Sequence, residues 1–152
     1  MKFLVTKELG QNKLLRLQVL WLTAILTLFL FTDLVLHHYQ VGLTPTLAVE
    51  QILGNEEAFI EPILLSVLLE NIHIDLFISM ITLMLLVVIF MRVAHDAKTK
   101  LIHLAFLSAI MAPIALLLGY FYAEVFISLW IGLFILWHLC ALYFAMTIFR
   151  KL

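Results

Sequence analysis

Four long stretches without a charged residue constrain this chain more than any other feature of its sequence. They cover residues 17–32, 76–91, 101–123 and 125–149, and the apolar pattern continues past several of their ends. A helix that crosses a bilayer needs about 20 mainly apolar residues, so we predict four spans, at about 14–38, 60–94, 100–122 and 125–149.

The composition supports the same fold class. Of the 152 residues 65% are apolar and only 12% are charged, which is about half the charged share of a soluble domain. A soluble domain of this size could not bury so much apolar surface in its own core. We therefore predict an all-α, multi-pass membrane protein, a four-helix transmembrane bundle that forms a single domain over residues 1–152.

Charge and cysteine content exclude further classes. The formal net charge is −1, so no basic surface indicates a nucleic-acid partner. Cys140 is the single cysteine, which excludes an intramolecular disulfide and any CxxC motif. The sequence shows no nucleophile–base–acid set, glycine-rich phosphate loop or zinc-protease motif, so it does not predict an enzyme.

The basic residues predict the orientation of the chain. They precede the first span, separate the second from the third and follow the fourth: Lys2, Lys7, Lys13, Arg16; Arg92, Lys98, Lys100; Arg150, Lys151. In the other two connections every charged residue is acidic: Glu50, Glu56, Glu57, Glu61 and Glu124. Because cytoplasmic loops are rich in Lys and Arg, we expect both termini in the cytoplasm.

The outer loop, residues 39–59, has local structure of its own. Its turn residues flank the segment 46–53, which we predict to be a short helix on the membrane surface with Thr46 as its N-cap. An acid and a proline suit the first turn of a helix, so we expect the second span to begin at Glu61 and Pro62.

Polar residues of the first two spans fall at one depth. Counting about 20 residues from Arg16 and from Arg92 marks the outer boundaries of these spans. At this level lie seven side chains: Asp33, His37, His38, Glu70, Asn71, His73 and Asp75.

The spacing of these residues points to imidazole chemistry. Asp33 and His37 share one helix face, as do Glu70 and His73, whereas Asp75 lies on a different face. A carboxylate beside an imidazole fixes the tautomer of a metal-binding histidine. Ionisable residues within spans usually face the interior, so we expect Glu70 and His73 to point into the bundle.

Three functions are compatible with these residues, and we favour the first. In the first, His37 or His38 pairs with His73 to ligate haem b, with His138 in the fourth span as a further cofactor ligand, for electron transfer in a respiratory or redox assembly. In the second, a non-haem divalent ion (Zn, Fe, Mn or Cu) is bound by residues from His37, His73, Glu70, Asp33 and Asp75. In the third, the protein is a structural or assembly subunit, and His138 only joins helices. The partners expected are the lipid bilayer and either subunits of a membrane redox complex or further copies of this chain.

A stripe of small residues predicts close packing of the third span. Ser108, Ala112, Ala115, Gly119 and Ala123 follow one another at intervals of three or four residues. Small residues allow helix backbones to approach closely in membranes. We therefore expect the third span to be the most tightly packed helix.

Three segments of the chain resemble a group of small four-span bacterial inner-membrane proteins. They are HHYQVGLTP (37–45), GNEE (54–57) and LENIHIDLF (69–77). The group carries a second histidine where this chain has Asp75, a departure that weakens a ligand role at this position. The resemblance implies a site among the outer polar residues and a location in the bacterial inner membrane.

Overall fold

The computed structural model describes residues 13–94 and 98–152. Lys2 and Lys7, which contribute to the predicted orientation, lie outside the described residues. Five helices follow one another: α1 (Lys13–Gln40), α2 (Pro45–Leu53), α3 (Leu65–Val93), α4 (Thr99–Phe121) and α5 (Val125–Lys151). No strand occurs in the described ranges, where an isolated bridge joins Asn55 to Ile60. The all-helical fold class is confirmed.

Four of these helices are long and apolar enough to cross a membrane, namely α1, α3, α4 and α5. They overlap the four predicted spans. We predicted that the third span, α4, is the most tightly packed helix, but the central helix is α5. It contacts each of the other four helices and has the largest buried share of the four long helices. A helix with neighbours on all sides buries more of its surface than one at the edge.

The predicted small-residue stripe does lie against α5. Ser108, Ala112, Ala115 and Gly119 are buried, whereas Ala123 is exposed because α4 ends at Phe121. A Cβ atom on Gly119 would lie only 2.5 Å from Cγ1 of Ile127 in α5. The two backbones therefore approach closely where α4 turns into α5, as small residues permit.

The segment 41–64 covers one end of the bundle, which we call the loop end. Its short helix α2 is confirmed, but Thr44 rather than Thr46 precedes it, because Pro45 takes the first helical position, where a missing N–H costs nothing. Ala48 and Ile52 are buried, so α2 packs on the bundle through one face.

The start of α3 also differs from the prediction. The helix begins at Leu65 rather than at Glu61, because the preceding segment is bonded to the end of α2 and Leu64 is still extended. The Ile63 N–H donates to the Ile52 carbonyl at 3.3 Å. Gly54, at a φ of 82°, allows this close approach, since a Cβ there would lie 2.9 Å from Cδ of Pro62.

Candidate functional site

Four ionisable side chains from three helices meet inside the bundle. They are Asp33 and His37 of α1, Asp75 of α3 and His138 of α5, and we call them the Asp/His cluster. At about 1.5 Å per residue, His37 lies near the loop end and His138 lies near the middle of α5. The cluster thus extends from the loop end towards the centre of the bundle.

His37 connects α1 to α3. Its ring is buried, with 4% of the residue exposed. Nδ1 donates to the backbone carbonyl of Asp33, one turn earlier, at 3.0 Å. Nε2 lies 3.0 Å from Oδ2 of Asp75. The spacing of four residues within α1 therefore orients the imidazole towards α3.

His138 connects α5 to α1 in the same manner. It is 1% exposed, its Nδ1 donates to the Phe134 carbonyl at 2.8 Å, and its Nε2 lies 3.0 Å from Oδ2 of Asp33. Asp33 is thus the centre of the cluster, since its carbonyl binds one histidine and its carboxylate the other.

The hydrogen bonds determine how many protons the cluster holds. A carbonyl oxygen can only accept, so Nδ1 of each imidazole carries a hydrogen, and a neutral imidazole has no second one. Each Nε2 nevertheless faces a carboxylate oxygen at 3.0 Å. Each contact therefore contains one additional proton, on the nitrogen or on the oxygen. With these two protons the four groups carry no net charge, which suits a membrane interior.

Aromatic rings of α5 hold both imidazoles in place. The Phe134 ring lies between them, with centroid distances of 4.4 Å to His37 and 4.3 Å to His138. Trp137 packs against His138 at 3.8 Å, and the Trp130 ring lies 6.4 Å from His37. Such packing restricts the rotation of the imidazoles.

Three members of the cluster could bind a metal ion together. Asp33, His37 and Asp75 each offer one ligand atom, and these atoms lie within 4.8 Å of one another. The fourth member, His138, binds the Asp33 carboxylate and thereby orients it. A ligand of this kind commonly has a hydrogen-bond partner behind it.

The structure places two predicted ligands outside the cluster. Glu70 and His73 are exposed on α3, so the prediction that their face points into the bundle is wrong. Asp75 points inward instead, and two residues of helix correspond to a rotation of about 200°, which turns His73 to the outer side. A ligand role for His73 stays a prediction that would require a group from outside the described residues.

His38 is likewise exposed, with its ring against Tyr39. Its neighbour His37 points inward, since adjacent helical residues face directions about 100° apart. Of the seven polar residues predicted at one depth, the structure thus brings together Asp33, His37 and Asp75, and adds His138 from α5.

Sequence reasoning missed the aromatic support of the cluster. Trp130, Phe134, Trp137 and His138 recur at helical spacing on the buried face of α5. This period was visible in the sequence. It would have placed His138 in the interior of the bundle beside three large rings.

Comparison with curated proteins and with solved structures found no significant match. A family model described as a transmembrane helical domain matches residues 42–152. The matched part includes α2 to α5, and therefore Asp75 and His138 of the cluster. The expectation of a small membrane-protein family is thereby confirmed, and the chain belongs to the Aq_1264_TM family of transmembrane helical domains.

Proposed function

We propose that the protein holds one non-haem divalent metal ion at Asp33, His37 and Asp75. The observation that carries this proposal is the convergence of three ligand atoms, from α1 and α3, within 4.8 Å of one another. His37 is buried and both carboxyl groups are at least half-buried. Such groups are rare in spans and usually mark functional sites.

The charges and the tautomer favour an ion. Nδ1 of His37 donates to the Asp33 carbonyl, which leaves Nε2 as the ligand atom, directed at Asp75. One divalent ion would take the place of the proton between His37 and Asp75 and would balance the charges of the two carboxylates, while His138 keeps the proton through which it binds Asp33. Mixed imidazole and carboxylate ligands suit Fe, Mn or Zn.

Haem b has less support from this geometry. A bis-histidine haem needs two imidazoles, one on each side of the iron, and a flat space between the helices that is large enough for the porphyrin. Here His38 and His73 are exposed, and Nε2 of His37 and of His138 each face a carboxylate. The two cavities beside the cluster measure about 130 Å³ each, far less than a porphyrin occupies.

We further propose that the loop end faces the outside of a bacterial inner membrane and that both termini are cytoplasmic. The basic residues outside the spans support this orientation. The cluster would then lie in the outer half of the bilayer, where an iron or manganese ion can exchange electrons with a redox assembly. Zinc in the same ligands would instead stabilise the bundle.

Metal analysis of the purified protein tests the proposal. The protein is extracted in mild detergent, and its metal content is measured together with its visible spectrum. We expect one metal ion per chain and no Soret band. His37→Ala should lose the ion. His103→Ala should keep it, since His103 is exposed near the start of α4, away from the loop end.

Asp75→Asn provides a second variant in case His37→Ala does not fold. Asp75 is only half-buried, so this isosteric change should preserve the bundle while it removes a charged ligand. A wild-type protein that takes up no stoichiometric ion, even after incubation with Fe, Mn or Zn, would refute the proposal and support a structural role. A Soret band would refute it in favour of haem.

A further inference from the structure

A cavity of about 130 Å³ lies beside the cluster, between all four long helices. Asp33 and Asp75 contribute its carboxylates, and Trp130, Phe134 and Trp137 form an aromatic wall. The rest of the lining is mainly aliphatic. The cavity is therefore an apolar space with a few polar groups, which is typical of a small-molecule site.

Several polar atoms of this lining lack a partner in the described part of the chain. The hydrogen bonds of Asp75 involve Oδ2, which leaves Oδ1 as a free acceptor among residues 13–94 and 98–152. Trp130 and Trp137 are 2% and 3% exposed, yet no acceptor for either indole N–H occurs in these ranges. Since no fully buried side-chain nitrogen or oxygen lacks a partner in the part of the chain that the structure describes, these two N–H groups are accessible rather than sealed off. The cavity thus offers donors and an acceptor to a ligand.

The dimensions of the cavity indicate the size of that ligand. An engineered cavity of about 150 Å³ in another protein binds benzene, so this one, at about 130 Å³, encloses no more than a single six-membered ring, and the substituents and tail of a larger ligand must extend out of it. Part of its lining is exposed on the outer surface of the bundle, including Leu36 of α1 and Ile78 of α3. In a membrane-spanning bundle this surface faces lipid, so a ligand reaches the cavity from the bilayer.

We propose that this cavity binds the head group of a lipid-soluble quinone or quinol. The ring packs against Trp130, Phe134 and Trp137. A quinone carbonyl accepts from an indole N–H, and a quinol hydroxyl donates to Oδ1 of Asp75. This deepens the proposed function, because Asp33 and Asp75 belong to both sites, but binding of the ring does not require the ion.

The acidic lining also distinguishes between ligand classes. A fatty acid or another anion would find no Lys or Arg in the lining of the cavity to balance its charge. An organic cation would find aromatic rings and carboxylates, but each carboxylate already faces an imidazole that shares a proton with it. A neutral ring with a carbonyl or hydroxyl group therefore fits better than either ion.

Tryptophan fluorescence reports directly on this cavity. In a Trp21→Phe background, which removes the exposed indole of α1, the remaining tryptophans are the two that line the cavity. Metal-free protein in lipid nanodiscs is titrated with decylubiquinone, and quenching is recorded. We expect a saturable component that decylubiquinol displaces and that an alkylbenzene of equal chain length does not.

Ile78→Phe and Ile81→Phe form a matched pair of variants. Both residues are exposed on α3, but only Ile78 lines the cavity. The larger ring at position 78 should weaken the affinity measured by saturable quenching about tenfold, because it fills part of the cavity. Ile81→Phe should bind as the parent does.

Three results would overturn the proposal: quenching that never saturates, displacement by the alkylbenzene, or displacement by a tetraalkylammonium ion. The last would assign the cavity to organic cations. Because the titration uses metal-free protein, a failure here leaves the metal proposal standing. Conversely, if the protein proves to bind no metal ion, the fluorescence titration still decides whether it binds the quinone.

Discussion

Replacement of Gly119 by alanine tests the closest helix contact in this protein. The new Cβ would lie 2.5 Å from Cγ1 and 3.1 Å from the backbone nitrogen of Ile127, whereas carbon atoms pack best at about 3.5–4.0 Å. Ile127 is fully buried, so its side chain has no free space into which to rotate. The backbones of α4 and α5 must therefore separate.

The magnitude follows from a comparison with Gly132→Ala. A Cβ on Gly132 meets no atom within 4 Å. Both substitutions gain about 0.5–1 kcal/mol because alanine is the better helix former. This gain cancels in the difference between the two variants, which leaves the overpacking cost of about 1–3 kcal/mol. We expect Gly119→Ala to be less stable than Gly132→Ala by that amount.

Reversible unfolding in mixed micelles measures this difference. The helix content is followed by circular dichroism as the mole fraction of sodium dodecyl sulfate rises, and the free energy of unfolding is extrapolated to zero. Gly119→Leu should unfold more readily still. Equal stability of Gly119→Ala and Gly132→Ala would show that α4 does not press against α5 at this point, and would refute the reasoning.

Three further predictions concern orientation, the thiol and the cluster. A reporter enzyme fused after Leu152 should read cytoplasmic and one inserted near Gly54 should read external; the opposite result would place the loop end inside the cell. Cys140 is buried, so maleimide should label it slowly in the folded protein and fast in dodecyl sulfate, and fast labelling of folded protein would contradict its position. Binding of a divalent ion should release about one proton, since it replaces the proton shared by His37 and Asp75, as calorimetry in buffers of different ionisation enthalpy would show; no release would contradict the proposed ligands.

The sequence alone predicted the class of fold and much of its local structure. Uncharged stretches of sufficient length allow only membrane helices, because a backbone in lipid must satisfy its own hydrogen bonds. The short helix of the outer loop and the burial of the small residues of α4 were also predictable, since both depend on local periodicity. The start of α3 was not, because a hydrogen bond to the end of α2 keeps the segment before Leu65 out of the helix.

The candidate site shows where sequence reasoning ends. Depth counting selected Asp33, His37 and Asp75 among seven polar residues, since position along a span sets its level in the bilayer. The spacing of Glu70 and His73 pointed to the wrong face of α3, because the rotation of a helix about its axis depends on its neighbours. Glu70 and Asp75 lie at similar depth on different faces of α3, and either face could point inward. Only the packing of α3 against α1 and α5 decides which one does.

His138 depends most completely on the tertiary structure. It lies 105 residues from Asp33 along the chain, and no local pattern relates the two. The sequence determined that the chain forms long apolar helices and how deep each polar residue lies in them. Only the tertiary structure decided that α5 is central and that α1 and α5 bring a carboxylate and an imidazole within 3.0 Å. The reason is that depth is a property of one helix, whereas contact depends on the packing of two.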